Sequence, residues 1–150
     1  MKLMSAISLA LLLPFAPVAQ AGPAADELSR CLVQLASSDD KLTLVKWMFS
    51  SMALHPAVAE LAPVSAAARD AANQEMAALL TTLLEVRCLN QARAAIQREG
   101  AAALPGSFAM LGQVALGELS SDPNVTAGLG ALTQFLQSEE LERKLGIGDN

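Results

Sequence analysis

Few side chains in this sequence could carry chemistry near neutral pH. His55 is the sole histidine, and imidazole is the side chain whose ordinary pKa suits proton transfer there. A general base also needs a nucleophile and an orienting acid beside it. His55 instead follows an apolar helical stretch and precedes Pro56, a place where it can cap the end of that helix with help from the helix dipole. The pairs Asp39-Asp40 and Glu139-Glu140 bring to mind the two carboxylates of glycoside hydrolysis. Neighbours on a helix diverge by about 100°, however, and both pairs fall at expected helix starts, where negative charge favours the dipole. There is no His-Glu-x-x-His or comparable ligand spacing. The expectation is therefore a chain without catalytic residues, metal or cofactor, and not an enzyme.

Cys31 and Cys88 are the only cysteines. An even count in an exported chain reads as a disulfide, and their separation would close a loop worth roughly 4 kcal/mol by the loop-entropy relation. No Cys-x-x-Cys pair suggests thiol–disulfide exchange.

Export is itself read from the first residues. Lys2 supplies a positive start, and Leu3 to Phe15 form an uncharged apolar run. Pro14 and Pro17 then precede Ala19-Gln20-Ala21, small at the two positions a signal peptidase inspects. Residues 1–21 are expected to be a cleaved signal peptide, the apolar run being too short to span a bilayer. That leaves residues 22–150 as a single domain, with no stable membrane insertion and a periplasmic or secreted location. Loss of Lys2 leaves nine basic against fifteen acidic residues, a formal charge of −6. That balance argues against nucleic acid, which needs clustered Lys and Arg. With four Phe, one Trp and no Tyr, aromatic stacking platforms are also scarce.

The elements that must position these residues are helical almost throughout. Leu28, Cys31, Leu32 and Leu35 form one stripe at i, i+3, i+4 and i+7. Ser37 and Ser38 close that helix, and Asp39 or Asp40 is placed to cap the next, which carries Leu44, Val45, Met48, Phe49 and Met52. Pro56 suits the first turn of a short helix to about Leu61, and Pro63 ends it. Ser65 caps the longest helix, expected to run to about Arg87. Asn90 is placed to cap a further helix that Gly100 stops. Pro105-Gly106 opens another, and Asp122-Pro123 begins a last long helix through Val125, Leu129, Leu132 and Leu136. Ser138 can cap a final turn or two before a loose tail at 145–150. The fold expected is all-α: a bundle or orthogonal array of five to seven helices, with the disulfide joining the first helix to the junction after the longest. Gly112, Gly117, Gly128 and Gly130 smooth two helices, which suggests close packing inside the molecule, a dimer seam or an apolar groove.

The most distinctive stretch is Lys46 to Pro56. Trp47 lies beside the main stripe and is placed to pack at its edge or to anchor a partner. With Lys46, Met52 and His55 it forms a candidate surface for a partner or ligand. The run from Cys31 through KWMFSSMALHP to Cys88 resembles small exported proteins of Gram-negative bacteria that have no assigned function; the likeness rests on Cys31, Trp47, His55-Pro56 and Cys88. An exported helical chain with one long disulfide loop is more distantly similar to the HdeA-type acid-stress chaperones, which are shorter and lack the segment beyond Cys88. These readings converge on a periplasmic interaction protein that binds a protein partner or a second copy of itself, chaperone-like, inhibitory, immunity-type or acting in envelope assembly. The alternative is a carrier of a small apolar ligand held between helices.

Overall fold

The computed structural model describes residues 22–136 and 139–146. The expected signal peptide, the Ser138 cap and the last four residues of the tail lie outside the described residues. Within them every regular element is helical, and none is long and apolar enough to cross a membrane.

Helix α1 (Pro23–Leu35) starts on proline, whose missing N–H is not needed in a first turn. Its cap residue, Gly22, offers no side chain to the first amides. The Glu99 carboxylate does so instead from 75 residues away, accepting from Ala24 N at 2.7 Å and Ala25 N at 3.1 Å. Helix α2 (Ser38–Met52) is capped by Ser37, not by Asp39 or Asp40 as expected. Ser37 is the last extended residue, so its hydroxyl meets Asp40 N at 3.2 Å, while the Asp40 carboxylate accepts from Ser37 N at 2.8 Å. This is a reciprocal capping box, and Asp40 supports it from within the helix. Helix α3 is a single turn (Pro56–Ala59), shorter than the run to Leu61 that was expected.

Helix α4 (Ala66–Thr81) is capped by Ser65, as its sequence indicates, but it does not stay regular to Arg87. From Thr82 to Arg87 the backbone widens into a π turn, closing with Cys88 N on Leu83 O at 2.8 Å. Cys88 follows directly on this turn and faces α1. There it forms the expected disulfide with Cys31, at a Cα–Cα distance of 5.9 Å. Cys88, rather than Asn90, then takes the cap position of α5 (Leu89–Glu99) and uses no side-chain bond there, because its sulfur is engaged. Gly100 ends α5 at φ 81° and ψ 174°, a region open essentially to glycine alone.

Helix α6 (Ala103–Ser120) is the shared wall of the molecule. One side receives α1 and α5; the other receives α2, which packs in turn on α4. Leu28, Leu32, Leu83 and Leu111 are fully buried at the centre, spaced by Ala24, Ala25, Ala92, Ala95 and Ala115, which let the helices approach closely. The buried Ser107 hydroxyl sits 3.0 Å from Ala25 O and 3.1 Å from Ala103 O, so its polarity is satisfied across the α1–α6 seam. A Lys41–Glu118 ion pair joins α2 to α6 at the surface.

Beyond α6 the expected long helix is divided. Helix α7 (Pro123–Gly130) is capped by Asp122, which accepts from Asn124 N at 2.8 Å and Val125 N at 3.2 Å. The helix ends before Leu132, and a short α8 (Thr133–Leu136) and α9 (Glu139–Leu145) follow. Gly128 and Gly130 weaken the helix there, and the Thr133 hydroxyl donates to Gly130 O at 2.7 Å, engaging a carbonyl that a continuing helix would use. The glycines do not share one packing role. A Cβ at Gly112 would just touch Met48 Sδ at 4.0 Å, whereas at Gly117, Gly128 and Gly130 it would meet open space.

Candidate functional site

Three surfaces stand out once the core is accounted for. The first is the segment α7–α8. No side chain in either helix is buried. Leu129 is 65% exposed, Leu132 61%, Phe135 83% and Leu136 51%. Leu129, Leu132 and Leu136 fall at i, i+3 and i+7 in sequence, but α7 ends at Gly130 and α8 begins at Thr133, so they do not share one helix face; each is exposed among the described residues. Leu116 and Leu119 at the end of α6 are partly exposed as well. Since a large aromatic or aliphatic side chain presents roughly 150–250 Å² when free, these groups expose several hundred Å² of apolar surface, the scale of the largest patch on an ordinary monomer.

The second surface is the α2–α3 corner singled out by sequence. Lys46, Met52 and His55 are exposed there, and the structure adds Phe49, Leu54 and Leu61 to them. Phe49 lies on the apolar stripe of α2, yet 45% of it is exposed. Trp47 does not belong with this exposed group. It is half-buried against the core, and its Nε1 donates to Asn73 Oδ1 on α4 at 3.0 Å, so it braces α2 on α4. His55 occupies the cap position before α3 and its imidazole makes no hydrogen bond with any described residue. The expected capping of the preceding helix by its side chain is therefore not seen. Its backbone N–H does bond to Met52 O at 3.0 Å.

The third is a polar cleft of about 350 Å³ against the π turn, lined by Asp40, Thr43, Glu75, Thr82 and Arg87. A π turn inside a helix frequently marks a functional position, and sequence periodicity could not have revealed this one. Its single cation is committed internally: Arg87 Nη1 donates to Leu35 O at 2.8 Å and to Asp40 Oδ2 at 2.5 Å. Burial raises the Asp40 pKa, but the bonds from Arg87 and Ser37 outweigh it and hold the carboxyl below its ordinary value. No histidine or cysteine lines the cleft, and its hydroxyls are those of Thr43 and Thr82. Its observed bonds join the end of α1, the start of α2 and the π turn, which is a structural task.

A groove of about 530 Å³ runs between α1 and α6, lined by Val33, Met110 and Val114 together with Asp26, Ser29 and Arg30. Among the described residues no three His, Cys, Asp or Glu side chains gather as a metal site. No family model matches this chain, and no curated protein or solved structure matches it either.

Proposed function

We propose that this is an exported, non-enzymatic interaction protein whose contact element is the α7–α8 segment. The observation that carries the reading is the run of exposed apolar side chains Leu129, Leu132, Phe135 and Leu136 across the α7–α8 break. Large exposed apolar side chains concentrated on one short segment are the anchors such a segment offers to an apolar groove on another protein. The rest of the molecule supports a scaffold role: a close-packed, alanine-rich centre, a long-range disulfide, and polar side chains bonded within the fold. The disulfide suits an oxidising compartment, which agrees with the leader read at residues 1–21. The occupant we commit to is an envelope protein presenting an apolar groove.

Photo-crosslinking in the periplasm tests this. A crosslinker at Leu132 or Phe135 should give one discrete adduct with a different protein, and the same group at Asp70 on α4 should give none. A dimer-mass adduct would identify a second copy as the occupant and overturn our choice. No adduct from either position would remove the reading altogether.

A second reading, a carrier of a small apolar ligand, has the α1–α6 groove in its favour, since Val33, Met110 and Val114 offer an apolar floor. Native mass spectrometry of periplasmic protein would then show a bound mass, lost on substitution of Met110 by Glu.

A further inference from the structure

The Glu99 carboxylate does more than cap α1. A Cβ built on Gly22 would lie 2.3 Å from Glu99 Oε1, 2.4 Å from its Cδ and 2.8 Å from Oε2, so the carboxylate is packed directly on the Gly22 backbone. No side chain other than hydrogen fits at that position while Glu99 holds Ala24 N and Ala25 N. Gly22 is also the residue that follows the expected cleavage point. In the precursor its nitrogen is a neutral amide. Hydrolysis by a signal peptidase adds water across the Ala21–Gly22 bond, leaving a carboxylate on Ala21 and a primary amine on Gly22. With an ordinary pKa of about 7.7–8.0, that amine is cationic at neutral pH.

We propose that Glu99 is the receptor for the mature N-terminus: cleavage after Ala21 delivers the Gly22 α-ammonium to a carboxylate already in place. This rests on the export reading above and on nothing about the contact surface. Glu99 then holds two α1 amides and one ammonium at once, and processing clamps α1 to the end of α5. The clamp sits at one end of α1 and the Cys31–Cys88 bond lies farther along it, so the mature helix is tied at two points. The surrounding charges do not compete for this role. Asp26 adds negative charge in the first turn of α1 and Glu27 follows it, Arg98 precedes Glu99 on α5, and α6 carries no charged residue before Glu118.

The test uses protein exported to a periplasm and processed there. Intact mass establishes first whether the chain begins at Gly22, which judges the cleavage reading by itself. The α-amine is then titrated by NMR through the Gly22 Cα protons, in wild type and in Glu99→Gln, which keeps an oxygen acceptor for the cap but removes the charge. The expected result is an α-amine pKa raised by about one unit or more in wild type and near 8 in the variant. An ordinary pKa in wild-type protein that begins at Gly22 overturns the proposal without touching the export reading. A mature chain that begins elsewhere overturns the cleavage assignment, and with it the delivery of the Gly22 amine. A measurement on wild type alone decides the central point, so a poorly folding variant does not obscure it.

Discussion

Removing the Cys31–Cys88 bond by a Cys31→Ala, Cys88→Ala double substitution should be the most damaging conservative change in this protein. The bond closes a loop with a sequence separation of 57 residues, for which the loop-entropy relation gives about 4 kcal/mol. Two further effects act in the same direction. Cys88 is completely buried and Cys31 nearly so, and each sulfur replaced by hydrogen leaves a small void between α1, the π turn and α5. The π turn also loses the tether that holds Cys88 toward α1. For a domain of this size 1 kcal/mol corresponds to roughly 3–5 °C in Tm, so a fall of about 12–20 °C is expected. The assay is thermal unfolding followed by circular dichroism at neutral pH, with guanidinium unfolding to give the free energy. Reduction of the wild type should reproduce most of the loss. A fall below about 3 °C would refute the reasoning. It would show that Leu28, Leu32 and the Glu99 cap already restrict α1, and that the unfolded chain gains little freedom when the bond is absent.

Other consequences can be checked with the same material. Leu32→Ala, at a fully buried site facing the centre, should cost about 2–5 kcal/mol, read from the denaturant midpoint. The Asp40 pKa is lowered by its bonds to Arg87 and Ser37, so its contribution is present above the unfolded value near 3.9 and fades as pH falls through the lower folded value. Arg87→Met should therefore reduce stability at neutral pH by roughly 1 kcal/mol or less, given partial solvent exposure, and the difference from wild type should shrink toward pH 2. Phe135→Asp should leave Tm within about 1 °C of wild type, because no core packing is lost; a larger fall would show that α8 is packed on the domain in solution. Amides of α7 and α8 should exchange with deuterium far sooner than those of α1, and equal protection would point to a covering partner or copy.

The periodic stripes of α1 and α2, the prolines at the first positions of α3 and α7, and the caps Ser65 and Asp122 could all be read from sequence because each is a local preference of the backbone, whereas Pro23–Ala25, which read as a flexible lead, form the first turn of α1 with Ala24 and Ala25 buried. The candidate surface was only partly readable. Lys46, Met52 and His55 are exposed, and Trp47 packs at the edge of the core, one of the two placements its position allowed; its bond to Asn73, twenty-six positions away, is what no local pattern connects to it. The apolar spacing across α7–α8 misled. Leu129, Leu132 and Leu136 look like a core face, and hydrophobic spacing shows that a face should be buried without showing against what.

What the residues determine alone is thus the helical class, the helix starts marked by Pro56, Ser65 and Asp122, the stop at Gly100 and the pairing of the only two cysteines, since these follow from short-range backbone geometry and from counting. Only the tertiary structure decides where the π turn widens α4, directly ahead of the Cys88 that bonds Cys31 on α1. It alone places Glu99 over Gly22, joining two residues seventy-seven positions apart through a cap that neither signals. And it leaves α7–α8 without a core, because α6 is already covered by α1, α2 and α5 on the faces that the buried leucines and alanines occupy.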